Sequence, residues 1–578
     1  MTILTQKRIF ISLCLLGATI NMTLTLFSSA WINTSLQHQQ SLTKSMIMLK
    51  NCQNIEDLEW LLFENHHKMT KYQKVHNKLR QNLEELSKIC HKYINSTNLT
   101  PSSFKFHQQQ TLNIIKGSYL NFSFPNDSSF NPDLSCGRFP LESDLNITDI
   151  YWQVTNTTNG TFYLYNAYYD DRKGVNGLPF VRILALINVL DPVVKTFCQF
   201  WYENVNEPLV AEVYEYRYIW NNDWGSNKKG ASPYLISCRV PLAAAPSHVS
   251  LVERRCGSAN NLLKVKNKRP KRNKKEAFIV SNKRPKRNKK EAFIVSVKRF
   301  EFTDDISLQI IEWSEILKIL GVNKVEFFVH FCHSNVLNVL KFYESEGFMN
   351  VKFIKYPSDF QNERKKNWHQ YSQNQLISYH DTFYEHMYSY DFMVPMDTDE
   401  FIMPLRDEDR TWNDLLKRTI QKSRKKKKQK FDCYPVDNHY FLLQSSHQNE
   451  AIAGIPKNLY FLPNIYRANN FTKNGGNAKT FMKMDRVLTV HNHFPFSCLD
   501  DQNDFKCKRF GVAREDGQLS HYRVNCTNKE CKESIDDPVR DESLWKFKDE
   551  ILGNVRDVIE RIKKYTKGEV DLKLEEVT

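Results

Sequence analysis

A chain of 578 residues is too long for one ordinary hydrophobic core, so the sequence predicts two or more domains joined by linkers. Its hydrophobic fraction of 41% and aromatic fraction of 13% are those of a globular protein and exclude a disordered one. The net charge of +16 does not indicate a nucleic-acid-binding face, because residues 264–290 contribute +13 and residues 424–430 contribute +6, which leaves the rest slightly acidic.

The N-terminus predicts entry into the secretory pathway. Residues 9–31 are apolar and long enough to cross a bilayer, and Lys7 and Arg8 precede them. By the positive-inside rule, residues 1–8 are a cytoplasmic tail, residues 9–31 a signal-anchor transmembrane helix, and the remainder lumenal. A cleaved signal peptide ending at Ser28-Ser29-Ala30 is the alternative. Twelve cysteines beyond the span predict disulfides, and eight of the ten glycosylation sequons outside the span precede residue 162.

Residues 32–109 are predicted to form a helical stem. Between residues 55 and 93, apolar side chains recur at spacings of three and four, as on one face of a helix. A coiled coil there could pair two chains, but a helix packed on its own domain fits equally, because the repeat covers fewer than three heptads.

Residues 110–260 are predicted to be a β-rich N-terminal domain. Segments rich in β-branched and aromatic residues lie between turn signals, at residues 150–154, 161–165, 181–187 and 211–216.

A basic linker, residues 261–290, is predicted to follow. Residues 267–281 recur unchanged as residues 282–296, and this copy is too short and too basic for a solenoid repeat. A solvated duplicated linker is favoured over a docking patch or a processing site. The lysine-rich residues 424–430 are likewise predicted to be a flexible loop, in preference to a grip on nucleotide or acidic glycan.

Strands and helices alternate from residue 291 onward. Strands are predicted at 292–297, 324–330, 350–355 and 391–396, with helices at 307–320 and 335–346 and a long helical stretch through Gln375 and His380. This alternation predicts an α/β fold with a mostly parallel sheet, in a catalytic domain over residues 291–545. Residues 546–578 are assigned to a C-terminal helix, whose amphipathic pattern begins near Leu544.

Two aspartates follow the fourth predicted strand, in Asp397-Thr398-Asp399-Glu400. Ligands of such sheets bind at the carboxyl ends of the strands. Mn²⁺ and Mg²⁺ prefer carboxylate ligands, and a divalent ion can neutralise a departing diphosphate. The pattern therefore predicts a site for a metal and a nucleotide-sugar donor, although a solvated acidic turn that caps the next helix is the alternative.

Residues 160–550 resemble glycosyltransferase family 92. The matching segments, in chain order, are Asn166–Arg172, Val181-Arg182, Ser237-Cys238, Val240-Pro241, Val297–Arg299, Glu312-Trp313, Leu320–Val322, Asp397–Ile402 and Leu519–Arg523. The resemblance implies a GT-A-like, Rossmann-type mixed sheet, a single-pass type II protein of the Golgi membrane, and inverting transfer from a UDP-sugar, with UDP-galactose as the donor and fucose or galactose residues of N-glycans as acceptors. Asp381 is followed by Thr382, where the family pattern leads us to expect a cysteine, so no disulfide pairing is carried over.

Each remaining site residue is assigned by position. The metal ligands are Asp397, Asp399 and His521, with His491 and His493 as competitors for the histidine; the donor-binding residues are Lys298, Arg299, Asp397, Lys479 and Arg523; the candidate bases are Glu515 and Asp516. Glu400 is less favoured as a base because it lies so close to the metal.

The sequence thus predicts a metal-dependent inverting glycosyltransferase that uses Mn²⁺ or another divalent cation. It is expected to transfer a hexose, galactose, from a UDP-sugar to a glycan of a glycoprotein. The alternative is a catalytically inactive lumenal glycan-binding protein with the same fold. Nucleic acid is not expected as a partner, because the basic charge is confined to two loops.

Overall fold

The computed structural model of the chain describes residues 136–577, apart from residues 149–150, 173–178, 204, 206, 222–223, 225–229, 242–243, 267–290, 358–366, 427–428, 444–451, 473–476, 500–505 and 525–537. The described residues all fall in one compact unit, Pro125–Thr578. The predicted anchor, the stem and most of the duplicated linker lie outside the described residues. Among the residues described, no helix combines the length and apolarity needed to cross a membrane.

Eight strands that precede the linker form the first sheet. They are β1 (Gln153–Thr157), β2 (Gly160–Asp170), β3 (Phe180–Ile187), β4 (Phe197–Trp201), β5 (Leu209–Tyr218), β6 (Ser232–Arg239), β7 (His248–Val252) and β8 (Leu263–Lys266). Their order is β1-β2-β3-β6-β5-β4-β7-β8, and a further pairing of β8 with β2 closes seven of them into a ring. Alternate residues of β3 pack on opposite sides: Ile183 and Ala185 face the core within the ring, whereas Leu184 and Leu186 belong to a second core.

The second sheet is mixed, and four of its six strands are parallel. They are β9 (Glu291–Phe302), β10 (Lys324–Cys332), β11 (Met349–Phe353) and β12 (Tyr390–Pro395). The helices α1 (Ser307–Ile319), α2 (Ser334–Ser345) and α3 (Trp368–His386) connect these strands in turn. Strand β17 (Lys479–Lys483), which is antiparallel to both of its neighbours, and the edge strand β14 (Cys433–Val436) complete the order β11-β10-β9-β12-β17-β14. The predicted α/β class is confirmed, because strands buried on both faces alternate with helices that cover them.

Strand β9 separates two hydrophobic cores. Phe293, Val295 and Val297 pack with α1, α2 and the C-terminal helix α5 (Lys548–Tyr565), which a short 3₁₀ helix at Ser543–Phe547 precedes. On the other face, Ile294 packs with α3 and with the first sheet. Because successive side chains of β9 point to opposite faces of the sheet, this strand contributes to both cores.

A third sheet has the order β13-β20-β15-β16-β21. Its strands are β13 (Glu400–Pro404), β15 (Asn438–Leu442), β16 (Tyr466–Ala468), β20 (Gly517–Arg523) and β21 (Pro538–Arg540). The strands β18 (Val487–Val490) and β19 (Pro495–Cys498) pair as a separate ribbon.

Helix α4 (Trp412–Lys426) extends further than the sequence predicts. The lysine-rich segment was assigned to a loop, but Arg424, Lys425 and Lys426 form the last turn of the helix. Cationic side chains stabilise this end, because the carbonyl groups there carry the negative pole of the helix dipole.

Six of the eight described cysteines form disulfides, which the cysteine content predicts. The pairs are Cys136–Cys256, Cys198–Cys238 and Cys498–Cys507. Thr382, where the resemblance led us to expect a cysteine, instead shares a buried hydrogen bond of 2.8 Å with the Ser296 hydroxyl.

Candidate active site

The Asp397-Thr398-Asp399 segment crosses from the second sheet to the third. Strand β12 ends at Pro395, and β13 begins at Glu400. Helix α1 fixes the crossing from one side, because the Gln309 side chain donates to the Thr398 carbonyl at 3.0 Å and the Trp313 indole N–H donates to the Glu400 carbonyl at 2.9 Å. The segment is thus held by its backbone, which leaves the carboxylates available to other groups.

Two lysines converge on the carboxylates of this segment. Lys298 Nζ lies 3.0 Å and 3.1 Å from the two carboxylate oxygens of Asp397. Lys479 Nζ lies 2.7 Å from Glu400 Oε1 and 3.5 Å from Asp397 Oδ2. Lys479 and Glu400 are fully buried, whereas the Asp397 side chain remains 22% exposed. The cluster therefore balances two carboxylates with two ammonium groups.

A β-bulge brings Lys298 into this position. Val297 pairs with Phe327 and Arg299 pairs with Phe328, so that Lys298 is the extra residue of β9. A bulge turns the side chain of the extra residue away from the regular alternation of the strand.

The pKa values of Asp397 and Glu400 move in opposite directions. Burial opposes ionisation of Asp397, but Lys298 and Lys479 outweigh it and hold the pKa of its carboxyl well below the usual range. Burial raises the pKa of Glu400 above its ordinary value, although Lys479 and His521 oppose that rise. Asp397 is therefore the permanently charged member of the pair.

Asp399 and His521 face each other across β13 and β20, where Glu400 pairs with His521. His521 Nε2 lies 3.6 Å from Asp399 Oδ2, and His521 Nδ1 lies 3.4 Å from Glu400 Oε2. Neither His521 Nδ1 nor Glu400 Oε2 makes a hydrogen bond among the described residues. Asp399 Oδ2 and His521 Nε2 are close enough to bind the same divalent cation, and the Asp399 side chain is 35% exposed. The remaining coordination positions of such an ion would stay open to other ligands.

Asp397 does not join them as a third ligand in this conformation. Among the described residues, the carboxylates close enough to share one ion as a group of three are Glu326, Asp381 and Glu385. That group is neutralised by Lys352, whose Nζ lies 2.6 Å from Asp381 and 2.7 Å from Glu385. The fit of a metal at the candidate site therefore rests on Asp399 and His521.

The carboxylates open into a pocket of about 1220 Å³. Its lining includes Lys298, Arg299, Asp397, Asp399, His491, His493 and Arg523. The guanidinium group of Arg299 lies over the Tyr356 and Tyr371 rings, at 5.2 Å and 5.5 Å from their centroids. The guanidinium group of Arg523 lies 5.5 Å from the centroid of the Tyr440 ring. Most of the predicted donor-binding residues thus meet at one opening, and Lys479 lies directly behind Asp397.

The histidines that compete with His521 lie on the same pocket but carry no positive charge. Burial lowers the pKa of His493 to about 3, with a further contribution from Lys479. Burial, His493 and Lys479 together lower the pKa of His491 well below its usual range. The neutral imidazole is therefore the favoured form of both His491 and His493.

The structure does not bring Glu515 and Asp516 to this pocket. Asp516 immediately precedes β20 and pairs with Lys422 at 2.5 Å and with Arg406 at 3.1 Å. Glu515 pairs with Lys422 at 3.1 Å. Because β20 is an extended strand, Asp516 lies about 16 Å from His521. Both acids therefore belong to an ion-pair group at the far end of the strand.

Glu312 belongs to one of the segments that resemble family 92, but the sequence predicts no contribution of this residue to the pocket. Its carboxylate is fully buried and accepts hydrogen bonds from the backbone N–H groups of Tyr460, Phe461 and Leu462, at 2.6, 3.0 and 2.9 Å. Tyr460 lines the pocket. Glu312 thus fixes one wall of the site, and Trp313 beside it holds Glu400.

Asn492 was not predicted either. Its Oδ1 accepts from Lys479 Nζ at 2.6 Å and from the Tyr379 hydroxyl at 2.8 Å, so it fixes the ammonium group behind Asp397. No local sequence pattern distinguishes Asn492 from an ordinary loop residue.

One known protein family resembles the part of the chain that contains this pocket. Residues 291–559 match the family model described as Glycosyltransferase family 92. The match begins with β9 and ends within α5. It includes the metal-ligand candidates Asp397, Asp399 and His521 and the lysines Lys298 and Lys479. No curated protein matches the chain. The recognition of this family from the sequence is confirmed.

Proposed function

We propose that this glycosyltransferase transfers galactose from UDP-galactose to a glycan of a glycoprotein. The transfer inverts the anomeric configuration of the sugar and depends on a divalent cation. The proposal starts from the match of residues 291–559 to glycosyltransferase family 92. The supporting observation is that Asp397 and Asp399 line one pocket together with Lys298 and Arg523, while the buried Lys479 and His521 contact these carboxylates. A GT-A arrangement of the second and third sheets is part of the proposal.

In this proposal Asp399 and His521 hold the cation, Mn²⁺ or a similar ion. When bound, such an ion would supply the positive charge that a departing diphosphate requires. Its ligands suit such an ion, because Asp399 offers a partly exposed carboxylate and His521 a ring nitrogen 3.6 Å away.

Lys298 and Arg523 add fixed positive charge to the pocket and bind the diphosphate of the donor. Lys298 acts as a point charge, and Arg523 can bind two phosphate oxygens at once. Lys479 is buried behind Asp397, so we assign it the role of positioning Asp397 and Glu400 rather than touching the donor.

Asp304 becomes the candidate base that removes the proton from the acceptor hydroxyl. Five described acids line the pocket, and four of them are engaged: Asp397 with lysine, Asp399 with His521, Glu301 with Arg299, and Asp305 with the N-terminus of α1. Asp304 is exposed and makes no hydrogen bond or ion pair with the described residues. A free carboxylate at the pocket is what an inverting transfer requires of its base.

We also propose that the protein is a single-pass type II protein of the Golgi membrane, with its catalytic domain in the lumen. The three disulfides support a lumenal compartment. The apolar residues 9–31 support the anchor. Dimerisation through the stem stays a prediction from the sequence.

A donor panel tests the proposed reaction. The full chain is incubated with UDP-galactose, UDP-GlcNAc or UDP-GalNAc over a glycan array, with Mn²⁺ or with excess chelator. Transfer is expected from UDP-galactose, only with the metal, and it is expected to be lost in Asp399→Asn but kept in Asp485→Asn, which alters an exposed acid in the turn before β18. Glycan binding without transfer from any donor would instead support the inactive glycan-binding alternative.

A further inference from the structure

Three tryptophans line the same pocket as the carboxylates. Trp220 and Trp224 follow β5 of the first sheet, and Trp368 is the first residue of α3. The Trp220 ring centroid lies 5.1 Å from that of Trp224 and 6.2 Å from that of Trp368, both edge-on. We call these three residues the tryptophan cluster.

Hydrogen bonds hold the tryptophan cluster in place. The His369 ring nitrogen Nε2 lies 2.9 Å from the Trp224 carbonyl oxygen. The Gln370 side chain accepts from the Ala231 N–H at 2.9 Å and donates to the Ala231 carbonyl at 2.8 Å. The start of α3 and the first sheet are thus joined by paired polar contacts as well as by packing.

Trp368 is nevertheless 49% exposed, whereas Trp220 is only 7% exposed. An indole that packs against neighbouring rings and is open to solvent within a pocket offers a flat apolar face to a ligand. Packing against its neighbours explains why a tryptophan occupies the buried position 220, but it does not explain the exposed ring of Trp368.

One short loop connects the tryptophan cluster to the charged cluster. The His491 ring centroid lies 4.8 Å from that of Trp224. The next residue, Asn492, accepts from Lys479 at 2.6 Å, and Lys479 contacts Asp397. The tryptophan cluster therefore adjoins the carboxylates within one pocket, as the binding site of a second substrate must.

The pocket is also large enough for a second substrate. Its volume of about 1220 Å³ exceeds the range of roughly 300–1,000 Å³ that is usual for a site holding one small molecule.

We propose that the tryptophan cluster is the acceptor subsite and that Trp368 stacks on a pyranose ring of the acceptor glycan. This inference rests on the proposed function. The C–H face of a pyranose carries partial positive charge and the face of an indole partial negative charge, so the two attract each other without any ion pair. The donor diphosphate, in contrast, requires the cationic groups near Asp397.

Trp220 and Trp224 lie outside the matched residues 291–559. The first sheet therefore contributes to the choice of acceptor, while the donor site is built from the matched residues alone.

Ligand binding by the full chain tests this subsite without relying on turnover. Methyl β-galactoside and methyl α-fucoside are followed by saturation-transfer NMR, and UDP with Mn²⁺ is followed by calorimetry. In Trp368→Ala, glycoside affinity is expected to fall about tenfold, the upper end of what one aromatic contact contributes, while UDP affinity stays unchanged. Trp368→Phe is expected to recover most of the loss. Phe353→Ala, which removes an aromatic ring 46% exposed outside the pocket, should change neither affinity.

The outcomes separate the two proposals. Weaker UDP binding with unchanged glycoside binding in Trp368→Ala would overturn the inference and assign the tryptophan to the donor base. Unchanged glycoside binding in that variant, or no glycoside signal from the wild-type chain, would also overturn it. Failure of UDP to bind the wild-type chain would contradict the proposed function, whatever the glycosides do.

Discussion

Lys479 Nζ lies 2.7 Å from Glu400 Oε1, and neither side chain reaches solvent. An ion pair in such a place costs desolvation energy on both sides, and that cost is offset only while both partners and their hydrogen bonds are present. Here Asn492 and Asp397 supply the further contacts of the ammonium group. The pair therefore couples the stability of the domain to the geometry of its site.

Replacing Lys479 with Met is expected to destabilise the protein by about 3 kcal/mol, because Glu400 is left buried without its main partner. Urea denaturation measures the loss. In Lys479→Met/Glu400→Gln, part of the stability should return, since the uncompensated charge is removed. A double variant as unstable as the sum of both single variants would show that the two side chains do not interact.

Glu312 is expected to make stability depend on pH. Burial raises the pKa of this carboxyl to about 7, although the three backbone N–H groups that it accepts from oppose the rise. Its unfolded value is near 4.5, so the folded state binds the additional proton and stability falls as pH rises from about 4.5 to 7. The shift corresponds to about 3 kcal/mol over that window.

Thermal midpoints of the wild type and of Glu312→Gln, measured from pH 4.5 to pH 8, test this expectation. The variant should lose stability overall, because Gln cannot accept all three N–H groups, but its pH slope through the window should be smaller. Equal slopes in the two proteins would assign the pH dependence to other groups.

Asp304→Asn is expected to lower kcat by a factor on the order of 10² to 10⁴, the usual contribution of a general base. UDP affinity should be unchanged, because the residue makes no contact with the cationic groups. Asp305→Asn is the matched control: its carboxylate accepts from the Ser307 N–H at 3.0 Å and lies 2.7 Å from the Asn335 amide nitrogen. That change should lower stability more than kcat. A full rate in Asp304→Asn would remove the residue from the mechanism.

The alternation of β9, α1, β10, α2 and β11 could be predicted from the sequence. Helical and strand periods are local, and the observed ends lie within two residues of those expected, apart from the C-terminal end of β9. The position of Asp397 and Asp399 at the end of a strand could also be predicted, because the end of a buried strand is visible in the local sequence pattern.

The partners of these aspartates could not be derived in the same way. Lys298 reaches Asp397 through a bulge that depends on the pairing of β9 with β10. Asp516 was placed near the metal because it is close to His521 along the chain, but an extended strand separates them in space. Trp224 and His491 meet across two sheets, and only the tertiary fold relates them.

Manganese binding to the full chain, followed by the electron paramagnetic resonance of the free ion, tests the central claim most directly. The wild type, titrated in the presence of UDP, is expected to bind one ion per chain, and Asp399→Asn and His521→Ala should each weaken that binding at least tenfold, about 1.4 kcal/mol. Asp485→Asn should bind as the wild type does. Equal manganese affinity in Asp399→Asn and the wild type would contradict the claim that Asp399 and His521 hold the cation against the nucleotide.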